Sequence, residues 1–283
     1  MSALAMNENL VNDDQIIFAP EPQDQPLPGS LTRETVISVK HWTDRLFSFR
    51  LSRPQSFRFR SGEFVMLGLF SNNKPLLRAY SVASPAWDEE LEFFSIKVPD
   101  GPLTSRLQHI EPGDKVLLGK KPTGTLILDA LTPGGTLYML STGTGIAPFA
   151  SLIRDPETYE KFETVVLSHT CRDASELAYG NDLVETISND PLIGELVDGR
   201  LIHDTALTRE QFARTGRITT RIENGQFFKD IGQPAFDPAR DRVMICGSMA
   251  MLKDCAALCQ AHNFREGSNA NPGEYVIEKA FAD

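Results

Sequence analysis

From residue 35 to 119 the apolar residues fall in short strand-like runs, at 35–40, 46–51, 63–69, 78–83, 91–98 and 115–119. Turn chemistry separates them, as in Arg60-Ser61-Gly62, Asn72-Asn73-Lys74-Pro75 and Glu111-Pro112-Gly113-Asp114. Six short strands with little helix predict a small antiparallel β-barrel. The one helix expected in this half covers 103–110, opened by Pro99-Asp100-Gly101-Pro102. The texture changes at Lys120-Lys121-Pro122-Thr123-Gly124 and again at Thr132-Pro133-Gly134-Gly135. Beyond that point strands at 137–141, 164–169, 201–203, 242–246 and 275–278 alternate with helical patterns. Those patterns lie at 147–154, 182–188, 209–212 and 250–262. Such alternation predicts a mostly parallel, Rossmann-like α/β sheet. The expected organisation is a flexible acidic segment at 1–30, a six-stranded barrel domain at 31–132 and an α/β domain at 133–283.

A chain of 283 residues is long enough for two ordinary cores. No apolar run is long enough to span a bilayer, and the first residues lack the basic-then-apolar pattern of a secretory signal, so the expectation is a cytoplasmic protein without a membrane anchor. The net charge of −10 argues against nucleic acid as a partner. It is unevenly spread: residues 1–30 carry five acids and no base, whereas 31–80 carry nine Lys/Arg against three Asp/Glu. A basic stretch in an acidic protein suits the steering of an acidic partner or ligand, or is scatter over a solvated surface. The four cysteines, Cys171, Cys246, Cys255 and Cys259, form neither a disulfide framework nor an iron–sulfur cluster pattern, so any redox centre is expected to be organic. The five histidines show no metal-ligand spacing, and no nucleophile elbow is present.

Within Leu76-Leu77-Arg78-Ala79-Tyr80-Ser81-Val82 an arginine, an aromatic ring and a hydroxyl stand in four consecutive positions. On a strand Arg78 and Tyr80 share one face and Ala79 and Ser81 the other. The Tyr80 ring suits stacking on a flat heterocycle, Arg78 suits a diphosphate, and Ser81 suits a ring nitrogen or carbonyl. Gly101-Pro102-Leu103-Thr104-Ser105 leads a glycine turn into a helix start with two hydroxyls, which fits an anion site, or ordinary capping. Gly143-Thr144-Gly145 follows a strand and Pro148 suits the first turn of the next helix, so backbone can approach a nucleotide there, although the third glycine of the dinucleotide fingerprint is missing. A Rossmann-type sheet reads the ribose at the end of its second strand. Arg172 at that strand end and Arg217 further on favour a 2′-phosphate, with Asp173 as the acid that would argue for NAD.

Six motifs stand in a family's order and spacing: Arg78-Ala79-Tyr80-Ser81, Ile96-Lys97-Val98, Gly101-Pro102-Leu103-Thr104-Ser105, Gly143-Thr144-Gly145-Ile146-Ala147-Pro148, Cys246-Gly247-Ser248 and Glu278-Lys279-Ala280-Phe281. From about residue 31 to the end the chain resembles the bacterial ferredoxin/flavodoxin–NADP(+) reductases, and its tail is similar to the proteobacterial subclass. The resemblance implies FAD in the barrel, NADP(H) on the α/β domain, and an oxidoreductase moving electrons between NADP(H) and a one-electron carrier, ferredoxin or flavodoxin. It implies that Arg78, Thr104 and Ser105 take the diphosphate, with Ala79, Gly101 and Leu103 in the same walls. Tyr80 would stack on the flavin, Ser81 would bond near its reactive nitrogen, and Ile96, Lys97 and Val98 would line the cofactor. Thr144 would touch the NADP pyrophosphate and Arg172 and Arg217 the 2′-phosphate. Cys246 and Glu278 would sit by the nicotinamide, Ala280 against the flavin and Phe281 toward the adenine. The catalytic set implied is therefore Ser81, Cys246, Glu278 and Ala280, with no metal, in a monomer. The basic 31–80 region, including Arg53, Arg58, Arg60 and Lys74, would dock the carrier. The alternatives are a reductase component of an oxygenase system, which usually brings an iron–sulfur domain, and a non-catalytic flavin- or nucleotide-sensing module.

Overall fold

A computed structural model describes residues 26–71 and 73–278. Six strands, β1 (Leu31–His41), β2 (Leu46–Ser52), β3 (Phe64–Ser71), β4 (Lys74–Ser81), β5 (Glu90–Ile96) and β6 (Lys115–Gly119), form one antiparallel sheet in the order β4-β3-β6-β1-β2-β5. The sheet curls until its two ends meet: the Ala83 N–H donates to the Glu92 carbonyl at 2.8 Å, and the Tyr80 hydroxyl lies 3.2 Å from Ser95 Oγ. Phe47, Phe49 and Phe93 stack along the interior at 5.7 and 5.5 Å. The predicted helix contracts to the single turn α1 (Thr104–Leu107).

The second sheet is parallel throughout, in the order β9-β8-β7-β10-β11, from β7 (Thr136–Thr142), β8 (Thr164–Cys171), β9 (Leu201–Leu207), β10 (Asp241–Cys246) and β11 (Tyr275–Ile277). Helices α2 (Ala147–Leu152), α3 (Pro156–Lys161), α4 (Ala178–Ser188), α5 (Gly194–Val197), α6 (Ile218–Glu223), α7 (Gln226–Ile231) and α8 (Met249–Ala261) surround it. Both faces are covered, which is why its strands read as apolar runs rather than as alternation. Leu137, Met139, Val165 and Leu167 pack in the core with Phe149 of α2 and Tyr179 of α4. Tyr138, Leu140, Val166 and Ile245 face the other way, toward α6, α7 and α8. The helix expected at 209–212 does not form. Residues 208–217 instead leave the end of β9 as a loop and return to it, the Leu207 N–H donating to the Arg214 carbonyl at 3.0 Å. Residues 209–212 are all exposed there, with no buried face for a helix to pack.

The two sheets share one apolar core. Leu46 and Phe94 turn their side chains out of the barrel and join the cluster built on α2 and α4. Tyr179 of α4 enters the barrel surface, stacked on Phe94 at 4.1 Å and edge-on to Trp42 at 5.4 Å. Its hydroxyl donates to Glu92 at 3.0 Å, and the other Glu92 oxygen accepts from Arg154 at 2.9 Å. Arg154 also donates to the Ala83 carbonyl, and Ser151 Oγ to that of Ser84. An exposed pair, Lys40 with Asp182 at 3.1 Å, and a half-covered one, Arg45 with Glu176 at 3.8 Å, rim this contact.

Candidate active site

In a sheet ordered as this one, the crevice where ligands bind opens at the carboxyl ends of β7 and β10, where successive connections leave in opposite directions. Here that crevice faces β4 and β5 of the barrel, and together they enclose a cleft of about 1000 Å³. The barrel contributes Arg78, Ala79, Tyr80, Ser81, Ile96, Val98, Gly101, Leu103 and Thr104. The parallel sheet contributes Thr144, Arg172, Arg217 and Cys246. Residues more than a hundred positions apart are thus gathered on one surface.

Each wall is built for a guest. Tyr80 is held by Ser95 and by an edge-on contact with Phe93 at 6.4 Å, so one side of its ring is fixed while it borders the cleft. Burial, the main cause, raises its pKa, and it stays a neutral phenol. Ser81 Oγ is buried with no protein partner, as is Thr170 Oγ1 across the cleft. A buried hydroxyl left alone costs about 1–3 kcal/mol, so both point to polar atoms that a ligand supplies. Val98, an apolar side chain 44% exposed on the same wall, has the complementary need for apolar cover. A flat, largely apolar ring system with polar edges satisfies all three, and an FAD with a nicotinamide nucleotide matches a cleft at the upper end of ligand-site volumes.

Gly143 and Gly145 shape the floor. Gly143 takes a left-handed φ of +54°, which turns the chain from β7 into a short 3-10 turn ahead of α2. At Gly145 a Cβ would lie 2.3 Å from the Cys246 carbonyl oxygen and 2.8 Å from Gly247 Cα, so only glycine lets the ends of β7 and β10 close. His169, fully buried on β8, donates from Nε2 to the Gly143 carbonyl at 2.9 Å. That carbonyl can only accept, so Nε2 carries a proton. Burial outweighs the hydrogen bond and lowers its pKa to about 4. The unfolded chain takes up this proton near pH 6.5, so the contribution is whole above that value and is lost as pH falls toward 4. Wild type should lose on the order of 3 kcal/mol over this span that His169→Gln does not lose, read as the difference between their urea midpoints at each pH. Parallel pH profiles for the two proteins would refute this.

Three expected site residues stand apart from the cleft wall. Lys97, just past the end of β5, is not in the cleft lining, its Nζ donating to the Thr43 carbonyl at 3.3 Å. Ser105 sits inside the first turn of α1, where its N–H is already bonded to the Gly101 carbonyl at 3.1 Å. Glu278 is buried behind the floor, its N–H bonded to the Ile245 carbonyl and its carboxylate beside Gly124. It lies near enough to Cys246 that, after burial, its charge is the second cause pushing that thiol well up, so Cys246 stays protonated. Ala280 and Phe281 lie outside the described residues. Of the basic residues expected to dock a carrier, Arg60 is paired with Asp129 and Glu157, and Arg53 is bonded to the Phe57, Ala86 and Asp88 carbonyls. Arg58 is bonded to the Gln55 and Phe57 carbonyls. Arg60 is thus compensated by acids, whereas Arg53 and Arg58 are bonded to neutral carbonyls and keep their charge.

The cleft also holds residues that the sequence did not flag. Thr170 and Cys171 precede Arg172 at the end of β8, and Thr208 and Arg209 follow the end of β9. The Arg209 N–H donates to the Arg172 carbonyl at 3.1 Å, which places Arg209 beside one of the two expected arginines. The signal available was position: both segments are carboxyl ends of adjacent parallel strands. Burial, and then Glu176, push the Cys171 thiol up to about 12, so it serves as a packed wall and not a nucleophile.

Residues 29–127 match the oxidoreductase FAD-binding domain and residues 139–257 the oxidoreductase NAD-binding domain. The flavodoxin/ferredoxin–NADP reductase of Rhodobacter capsulatus is 59% identical over 249 residues, 88% of this chain and 92% of that one. The ferredoxin–NADP reductase of Pseudomonas aeruginosa is 49% identical over 90% of this chain and 99% of that one. A crystal structure of a ferredoxin NADP+ reductase from Neisseria gonorrhoeae, with bound FAD and NADP, superposes with a TM-score of 0.80 at 31% identity, covering 89% of this chain and 99% of that one. With two sheets in this order, one cleft between them and this extent of identity, the chain belongs to the ferredoxin/flavodoxin–NADP reductase family.

Proposed function

We infer that this chain is an FAD-dependent reductase that exchanges electrons between NADP(H) and a ferredoxin or flavodoxin. The observation that carries the reading is the shared cleft, where a barrel wall suited to a flavin faces the switch point of a nucleotide-binding sheet. Bound FAD supplies what no side chain can, accepting two electrons together and passing them on singly. The protein's part is to bind, orient and exclude water. Tyr80 offers a fixed aromatic wall to the flavin ring, Ser81 Oγ offers it a hydrogen bond, and Arg78 with Thr104 is placed for a diphosphate. Across the cleft Thr144 borders the glycine turn, where the pyrophosphate of the second nucleotide fits. Arg172 and Arg217, joined by Arg209, present three cations to a 2′-phosphate. Cys246, neutral and buried, forms the floor on the nicotinamide side, and Glu278 behind it orients that floor.

The acceptor carrier, a cytoplasmic location and a monomeric state complete the reading. Among the described residues no helix is long and apolar enough to cross a membrane. The test is direct: the purified chain should be yellow, with one FAD per chain. It should reduce a dye with NADPH at a kcat/KM at least about 100-fold above that with NADH, the order expected when a site built for a charged group loses its partner. Reduction of a purified ferredoxin or flavodoxin should accompany it. A colourless protein that rejects added flavin would sink the reading, and equal use of NADH would remove its NADP part.

A further inference from the structure

A charge network centred on buried Asp204 and Arg221 ties down the 208–217 loop, which carries the cleft residues Arg209 and Arg217. Asp204, completely buried on β9, accepts both ends of the Arg221 guanidinium at 2.9 and 2.7 Å and the Ser168 hydroxyl at 2.8 Å. Arg221, 2% exposed on α6, reaches on to Asp230 of α7 at 2.9 Å. Its own N–H donates to the carbonyl of Arg217, the residue just before α6, at 3.1 Å. Arg214, in mid-loop, lies 3.6 Å from Asp204 and donates to the Asp230 carbonyl at 3.2 Å. The Gly216 N–H then returns to the Leu207 carbonyl at 2.9 Å, so the loop is tied at both ends and in the middle.

Burying the Asp204 carboxylate with the Arg221 guanidinium, and half-covering Asp230, is a poor way to stabilise a fold, since well-packed apolar residues in such places are often as good or better. What such a network does provide is geometry: a bidentate fork accepts only one placement of its partner. Here the partner helix starts just after Arg217, and the strand end leads into Arg209. The two carboxylates also offset the crowding of like charge among Arg214, Arg221 and the three cleft arginines. Burial works against the charge on Arg221, but its bonds to Asp204 and Asp230 outweigh this and hold its pKa above the usual value.

We propose that Asp204, Arg214, Arg221 and Asp230 form the positioning frame that fixes Arg209 and Arg217 for the 2′-phosphate, and so set the preference for NADP over NAD. None of the four borders the cleft. The inference rests on the reading of the cleft arginines as 2′-phosphate ligands. It is tested on the FAD-loaded full chain by calorimetric binding of 2′,5′-ADP, with 5′-AMP measured by displacement, for Arg214→Met, Asp204→Asn and Arg217→Leu. Arg214 is half-buried, so its variant keeps the test open should Asp204→Asn fail to fold. Loss of a charge-assisted anchor should weaken 2′,5′-ADP by about tenfold while 5′-AMP changes by less than about twofold. The KM for NADPH should rise with kcat unchanged. Unaltered 2′,5′-ADP binding in Arg214→Met, or an equal loss for both nucleotides, would overturn the frame. If Arg217→Leu itself leaves 2′,5′-ADP untouched, the reading of the phosphate site falls instead, so the two failures are distinguishable.

Discussion

Gly145→Ala is expected to lower kcat/KM for NADPH by about 100-fold or more while the chain keeps its flavin. The added methyl would meet the Cys246 carbonyl at 2.3 Å for the oxygen and 2.6 Å for the carbon, and backbone cannot yield as a side chain can. In β10 Cys246 is paired in register with Ser141 of β7, so the strain is relieved only by parting the two strand ends. These ends form the floor of the nucleotide crevice, and a displacement of about 1 Å in a positioning element costs on the order of 100-fold in rate. Stability should fall by about 1–3 kcal/mol, as for other overpacked sites. The barrel wall lies on the other side of the cleft, so FAD content, read from absorbance, should stay near one per chain. A loss smaller than about threefold would show that the floor is not rate-determining geometry.

Removing Tyr179 should have the largest effect on stability. Tyr179→Ala takes away a stacked ring, an edge-on contact and a hydrogen bond at once, at a place where the barrel and the parallel sheet meet. Large-to-small changes of a buried aromatic cost about 3–5 kcal/mol, and the Glu92 oxygen is left without its donor. Tyr179→Phe keeps the packing and should cost only about 1–2 kcal/mol. The pair separates packing from hydrogen bonding, with urea midpoints at unchanged slope as the measure. A cost below about 2 kcal/mol for the alanine variant would mean that this contact yields freely.

Much of the fold could be read from local pattern because local pattern is what determines it. The strand at 115–119 is found where the apolar run and the flanking turns put it, and the parallel strands are recognisable as runs between glycine turns. The misread stretch at 209–212 has a physical cause: it follows a strand end and is held by Arg214 and Thr215 returning to Leu207, a tie with no local signature. The candidate site divides in the same way. Arg78 to Ser81 and Gly143 to Gly145 are visible because their chemistry is contiguous. Thr170, Thr208 and Arg209 are not, since they become neighbours only when β8 and β9 pair. Lys97 differs from its neighbours Ile96 and Val98 in that its side chain is engaged by the Thr43 carbonyl, a partner 54 positions away that no local pattern announces. Charge is legible as a sum but not as pairs: the surplus of basic residues between 31 and 80 includes Arg50, which Asp88, Glu90 and Glu92 neutralise, and Arg60, which Asp129 and Glu157 hold.

Leu46 and Phe94 belong to the barrel by strand and to the parallel sheet by packing, alongside Tyr179, Phe149 and Ile146. Ile146 lies in the turn that Gly143 and Gly145 shape, so the oil that glues the halves is continuous with the floor beneath the coenzyme. Neither half can therefore be cut free without baring a greasy flank, and the distance between the two redox groups is set by the same interior that keeps the molecule in one piece.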